Sequence, residues 1–141
     1  MEKRAETITW VDETVAYWKS ISLKLNPGAS DEKAVYCEMQ MDFKFSQDFK
    51  DFHKKMDGFE DYEWSEDMMS LWSYDRILKE FNEEGRPDYV TICDYLIRSC
   101  DYVFKNGDQR VYKHVGNCFE SIAPSFQQFV GLLMADDKSL Y

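Results

Sequence analysis

Four cysteines and two histidines are the side chains of this 141-residue chain best suited to chemistry, and their spacing argues against it. Cys37, Cys93, Cys100 and Cys118 are separated by 56, 7 and 18 residues, with no C-x-x-C pair, and neither His53 nor His114 is adjacent to any of them. A structural zinc site needs four converging N or S ligands, usually announced by short local pairs. No metal is therefore expected, and reduced, mostly buried thiols are. A nucleophilic cysteine needs a base beside it, and His53 or His114 could in principle meet Cys93 or Cys118 in space. Each histidine nonetheless reads better as a packing residue. There is no G-x-S-x-G elbow, no H-E-x-x-H and no Gly-rich phosphate loop, the six glycines being scattered singly. The expectation is a protein without cofactor or catalytic site, a small hydrolase built on a Cys–His pair being the outlying alternative.

The charge pattern carries more information. The net charge is −10, and residues 57–88 hold eleven acids against three bases, −8 from under a quarter of the chain. Nucleic acid and anionic membrane would be repelled by such a surface, whereas basic partners would be steered towards it. Within that region Phe59-Glu-Asp-Tyr-Glu-Trp-Ser-Glu-Asp67 is acidic and aromatic without clear periodicity. One reading is a solvated loop whose Tyr62 and Trp64 tuck into the core. The other is a recognition surface, with Tyr62 and Trp64 as anchors and Glu60, Asp61, Glu63, Glu66 and Asp67 pairing with Lys or Arg of a partner.

The elements that would position this stretch can be read from periodicity and punctuation. A helix is expected from about Thr9 to Leu25, stopped by Asn26-Pro27-Gly28. Ser30 caps a second helix carrying Ala34, Val35 and Met39. A third follows Ser46, with Phe49, Phe52, His53 and Met56 on one face, ended at Asp57-Gly58 by a left-handed glycine. Met68–Trp72 reads as a short strand, and Ser73 as the cap of a helix with face Tyr74, Ile77, Leu78 and Phe81. Residues 83–87 form a turn. Tyr89–Ile97, apolar on both faces, reads as a central strand. Tyr102–Phe104 and Arg110–Val115 flank the hairpin signal Asn106-Gly107. A last helix covers about Pro124–Met134, with Pro124 in its first turn. The fold class is α+β: N-terminal helices, a central antiparallel sheet with an inserted helix, and a C-terminal helix packed on the sheet. No linker or repeat divides the sequence, so residues 1–141 form one domain, and with 44% hydrophobic residues it can bury a core. No apolar run approaches the roughly 20 residues of a membrane span, and the charged N-terminus lacks the apolar centre of a signal peptide. A cytoplasmic location is expected.

Several of these features, in this order, resemble the SUKH superfamily, the proteins grouped around the yeast Smi and Knr cell-wall regulators. They are Glu38 near a helix end, Phe43-Lys-Phe-Ser-Gln-Asp-Phe-Lys-Asp-Phe52, the Met56-Asp-Gly-Phe59 turn, Leu71-Trp-Ser73 before a helix, the strand Val90–Leu96, and the ending Ile122-Ala-Pro-Ser-Phe-Gln-Gln-Phe-Val130. The likeness spans about residues 30–134. It departs at Ser46, where the family carries Pro, and at Pro124, where relatives often carry an acidic cap. The resemblance implies the Smi/Knr-like fold and no catalysis. It also implies an immunity protein that sits in the cytoplasm and binds a toxin domain, often a nuclease; the alternative is a regulatory or scaffold domain with an endogenous partner. The family offers no fixed binding motif to transfer, so the candidate site remains the seven residues named above.

Overall fold

The computed structural model describes the backbone from Glu2 to Tyr141 and the side chains from Trp10 onward. The expected α+β class and element order are present. Helix α1 (Glu2–Ser20) leads into β1 (Leu25–Pro27), α2 (Asp31–Met41), α3 (Gln47–Lys55), β2 (Met56–Phe59) and β3 (Met69–Leu71). There follow α4 (Tyr74–Glu83), β4 (Tyr89–Tyr95), β5 (Cys100–Lys105), β6 (Asp108–Val115), β7 (Cys118–Ala123), α5 (Phe126–Ala135) and a final 3-10 turn, Lys138–Leu140. Five strands form an antiparallel sheet in the order β3-β4-β5-β6-β7, with α4 inserted between β3 and β4; β1 and β2 pair separately. Helix α5 packs across β6, β7 and α3. No helix among the described residues is long and apolar enough to cross a membrane.

The core is aromatic. Phe49 and Phe52, on the inner face of α3, meet Phe126 of α5 edge-on, with ring centroids 4.9 and 5.6 Å apart, and Phe104 of β5 lies 5.5 Å from Phe49. Edge-to-face pairs at these distances add to the stabilisation that burial alone supplies. His53 belongs to the same face, as its spacing predicts. It is fully buried, with Nδ1 3.2 Å from the Phe49 carbonyl and Nε2 3.0 Å from that of Trp72.

Several boundaries differ from the sequence expectation for local reasons. Helix α1 ends at Ser20 because Ser22 is left-handed (φ 67°), and Leu25 then joins a strand held by Asn26, whose amide donates to the carbonyls of Asp57 and Phe59. The buried face of α2 is Ala34, Cys37, Glu38 and Met41, one step round from the expected set, so Met39 is 75% exposed. Glu38 tolerates burial because its Oε2 accepts the Phe45 amide at 2.9 Å and Lys50 lies 3.4 Å away. Gly58 is not the helix stop. It sits within β2 at φ +73°, where a Cβ would lie 2.5 Å from the Trp72 carbonyl carbon, so close approach of two backbones requires it. Ser125, not Pro124, opens α5, by accepting the Gln128 amide. The edge strand β7 has no counterpart in the expected elements.

Strand β4 also stops early. Leu96, Ile97 and Arg98 are consecutively left-handed (φ 52°, 51° and 67°), a conformation costly for any L residue and most of all for β-branched Ile97. Such a turn persists only where its surroundings fix it, and here the fixing group is a buried carboxylate.

Candidate functional site

The acidic aromatic stretch is the loop between β2 and β3, folded into two turns. In the first, the Glu63 amide donates to the Glu60 carbonyl (3.0 Å) and Tyr62 is left-handed. In the second, the Met68 amide donates to the Ser65 carbonyl, and Ser65 Oγ accepts the Met69 amide. Both ends are tied down. The Glu60 amide donates to the Lys24 carbonyl, Glu63 Oε2 accepts the Lys24 amide at 3.0 Å, and the Met68 carbonyl accepts the Leu96 amide. The loop is therefore a held ridge.

A hollow lies on each side of it. Asp61, Tyr62 and Trp64 line a cleft of about 640 Å³, whose opposite wall includes Asp57, Asp75, Arg76, Lys79, Glu80, Ile97 and Arg98. Ser65, Glu66 and Asp67 line a separate groove of about 190 Å³ between the end of α1 and the C-terminal segment. The seven residues do not share one face: three border the cleft, two the groove, Glu63 is engaged by the Lys24 amide, and Glu60 is exposed beside it. Of the two aromatics, Trp64 is half-buried in the cleft wall while Tyr62 stands 86% exposed, and neither joins the hydrophobic core.

The far wall of the cleft is organised by Asp94, the lone charge in the otherwise apolar run of β4 and fully buried. Its Oδ1 accepts the Trp72 indole N–H at 2.7 Å and lies 3.5 Å from the Arg76 guanidinium; its Oδ2 accepts the Arg98 backbone N–H at 2.9 Å. Trp72 is flanked by both guanidiniums, Arg76 at 4.2 Å and Arg98 at 4.8 Å from a ring centroid. Arg98 also pairs with Glu80, Glu84 and Asp101 at 3.1, 2.7 and 2.7 Å. Burial works against its charge, but Asp101 and Glu84 outweigh this and hold its pKa above the ordinary arginine value. Sequence reasoning missed Ile97 and Arg98 at the cleft mouth; the one available signal was an acid interrupting an apolar strand.

Four acids (Asp57, Asp61, Asp75, Glu80) and three bases (Arg76, Lys79, Arg98) line the cleft, so its walls nearly balance. Asp75 is paired with Lys33 at 2.5 Å and Lys79 with Glu83 at 3.9 Å. Burial pushes the Asp57 carboxyl up to about 6, against the opposing hydrogen bond from the Tyr74 amide and with help from Asp75. By contrast, Glu60, Asp61, Glu66 and Asp67 make no ion pair with any described residue.

Cys37, Cys93 and Cys100 are buried and Cys118 is exposed. The three buried thiols point at backbone carbonyls of Tyr74, Asp94 and Asp101, and burial pushes Cys93 well above and Cys37 up to about 11. His114 stacks on Phe119 and meets Tyr89 edge-on. Among the described residues, no group of three His, Cys, Asp or Glu is placed to hold a metal ion. No protein-family model matches the chain, and no curated protein matches it.

Proposed function

We propose that this chain is a protein-binding module that captures a cationic protein, and that its partner is a toxin domain which it neutralises as a SUKH-type immunity protein. One observation carries the reading. Four carboxylates of a single held loop, those of Glu60, Asp61, Glu66 and Asp67, are exposed and have no ion-pair partner among the described residues, and the same loop carries the 86%-exposed Tyr62, whereas the cations of the cleft wall, Arg76, Lys79 and Arg98, are paired. An exposed tyrosine among unpaired acids offers contact area at low entropic cost and steers a basic surface. A nuclease groove is such a surface, since it must bind phosphates. Non-catalytic action is supported by the buried thiols with raised pKa and by the engagement of Arg98 with three carboxylates, which leaves it little capacity for a substrate anion.

The test is association with the toxin encoded beside this gene, followed by a nuclease assay with and without the protein. Glu60→Lys plus Asp61→Lys reverses two exposed charges and spares Glu63, whose side chain holds the loop. Association should slow by on the order of tenfold or more at low salt, and its salt dependence should flatten. Unchanged association kinetics would remove the loop from the interface.

A further inference from the structure

Resting on that reading, we infer that the groove behind the loop takes a cationic amphipathic segment of the partner protein, one large apolar side chain entering the groove while neighbouring Lys or Arg residues meet Glu66, Asp67 and Asp136. At about 190 Å³ the groove is smaller than the usual small-molecule pocket of roughly 300–1,000 Å³ and is the right size for one or two side chains. Its floor is apolar, formed by Trp18, Phe59, Leu71 and Leu140. Its rim carries Tyr17, Ile21 and Tyr141, each close to half exposed and so placed to cover an incoming apolar group.

Charge selects the occupant. Among the described residues, the charged side chains lining the groove are Glu66, Asp67 and Asp136, all acidic, whereas the larger cleft mixes four acids with three bases. One oxygen of Asp136 accepts the Tyr141 hydroxyl; Glu66 and Asp67 have no hydrogen-bonded or ionic partner on their side chains among the described residues. The Asp67 carboxyl is raised by partial desolvation and by repulsion from Asp136 and Glu66, the mark of negative charge without compensation. An anionic or purely apolar segment leaves that repulsion in place, while a segment carrying Lys or Arg beside its apolar side chain relieves it.

The experiment uses the full ¹⁵N-labelled chain and three synthetic probes: an amphipathic Leu/Lys helix peptide, an oligo-arginine peptide without apolar residues, and a Leu/Glu counterpart. The Leu/Lys peptide should shift the amides of Ile21, Ser65–Asp67 and Asp136–Tyr141, and the Leu/Glu peptide should leave them unmoved. Tyr17→Ser plus Ile21→Ser should weaken the Leu/Lys peptide about tenfold or more and leave oligo-arginine binding unchanged. Asp67→Asn plus Asp136→Asn should weaken the Leu/Lys peptide and flatten its salt dependence, the asparagine at 136 keeping the left-handed helix cap. Shifts confined to Asp61 and Ile97 at the cleft, or equal affinity for the parent and the serine pair, overturn the groove assignment. Neither result touches the response of the toxin to Glu60→Lys plus Asp61→Lys, which lie off the groove, so the two readings fail separately.

Discussion

Asp94→Asn is nearly isosteric, yet it should be among the costliest polar substitutions in the protein. The carboxylate accepts two short hydrogen bonds on different oxygens, from the Trp72 indole at 2.7 Å and the Arg98 amide at 2.9 Å. An asparagine has one oxygen and one NH2 group, so in either orientation a donor faces a donor. One bond of about 1.5–3 kcal/mol is lost, a buried N–H is left unsatisfied at about 1–3 kcal/mol, and the surviving bond loses its charge. Part of this is recovered by relaxation towards the half-exposed Arg76, so a net cost of about 2–4 kcal/mol is expected. Urea unfolding followed by tryptophan fluorescence reads this directly: with a slope of about 2 kcal/mol/M, the midpoint should fall by about 1–2 M. Hydrogen exchange should accelerate at the Arg98 and Leu96 amides, because the left-handed turn and its bond to the Met68 carbonyl lose their anchor. Asp88→Asn, at an exposed acid, should stay within about 0.5 kcal/mol of the parent. If Asp94→Asn is equally silent, the carboxylate does not hold the turn.

Three further perturbations test other parts of the fold. Gly58→Ala places a Cβ 2.5 Å from the Trp72 carbonyl carbon at φ +73° and should destabilise by about 2 kcal/mol or more in the same urea assay, since strain and steric overlap act together. Tyr102→Phe removes the hydroxyl that donates to the Leu140 carbonyl at 2.5 Å; a loss of about 1 kcal/mol is expected, with faster exchange confined to the C-terminal turn. The pH dependence has two opposed contributions. Burial lowers the His53 pKa to about 4, so between about 6.5 and 4 the unfolded chain binds a proton that the folded one refuses, and stability falls on acidification by up to about 3 kcal/mol. Asp57, raised to about 6, is protonated in the folded state before the unfolded one, so its contribution is present at low pH and lost as pH rises through 6; solvent screening of this half-buried group makes it the smaller of the two. Parent stability should thus decline from pH 7 to 4, and in His53→Gln the slope should vanish or reverse; an unchanged slope in that variant would falsify the assignment to His53.

Periodic elements were legible from sequence wherever side-chain pattern and capping residue agreed. Helix α3 shows its buried face at Phe49, Phe52 and His53, with the expected fourth member Met56 buried just past the helix as the first residue of β2, and α4 opens at Ser73, whose hydroxyl accepts the Arg76 amide. What failed was set by contacts between distant segments. Gly58 is demanded by the backbone of Trp72, fourteen residues on, and the end of β4 by a carboxylate that reaches forward to Arg98 and back to Trp72. On α2, Val35 and Met39 follow a helical period as well as Cys37 and Met41 do, and only the position of α3 and α4 decides which pair is buried. The candidate loop was found from its composition, but its two-sided character could not be, because the groove wall comes from α1 and the last residues of the chain.

The acidic middle third of the sequence resolves into two populations with different physical roles. Asp57, Glu63, Asp75, Glu80, Glu83 and Glu84 are engaged by backbone amides or by Lys33, Lys79 and Arg98. These contacts fix the carboxylates in place, and they contribute to positioning the cleft wall. Glu60, Asp61, Glu66, Asp67 and Asp88 are exposed and without ion pairs among the described residues. Four of these five lie within eight residues on a ridge held at both ends, where their mutual repulsion opposes folding and is relieved by any cation that docks. On the proposed reading, removing those four charges should raise the stability of the isolated protein slightly while weakening partner binding. That opposite movement of two measurable quantities separates a recognition surface from a merely solvated one, because exposed acids with no partner change stability alone.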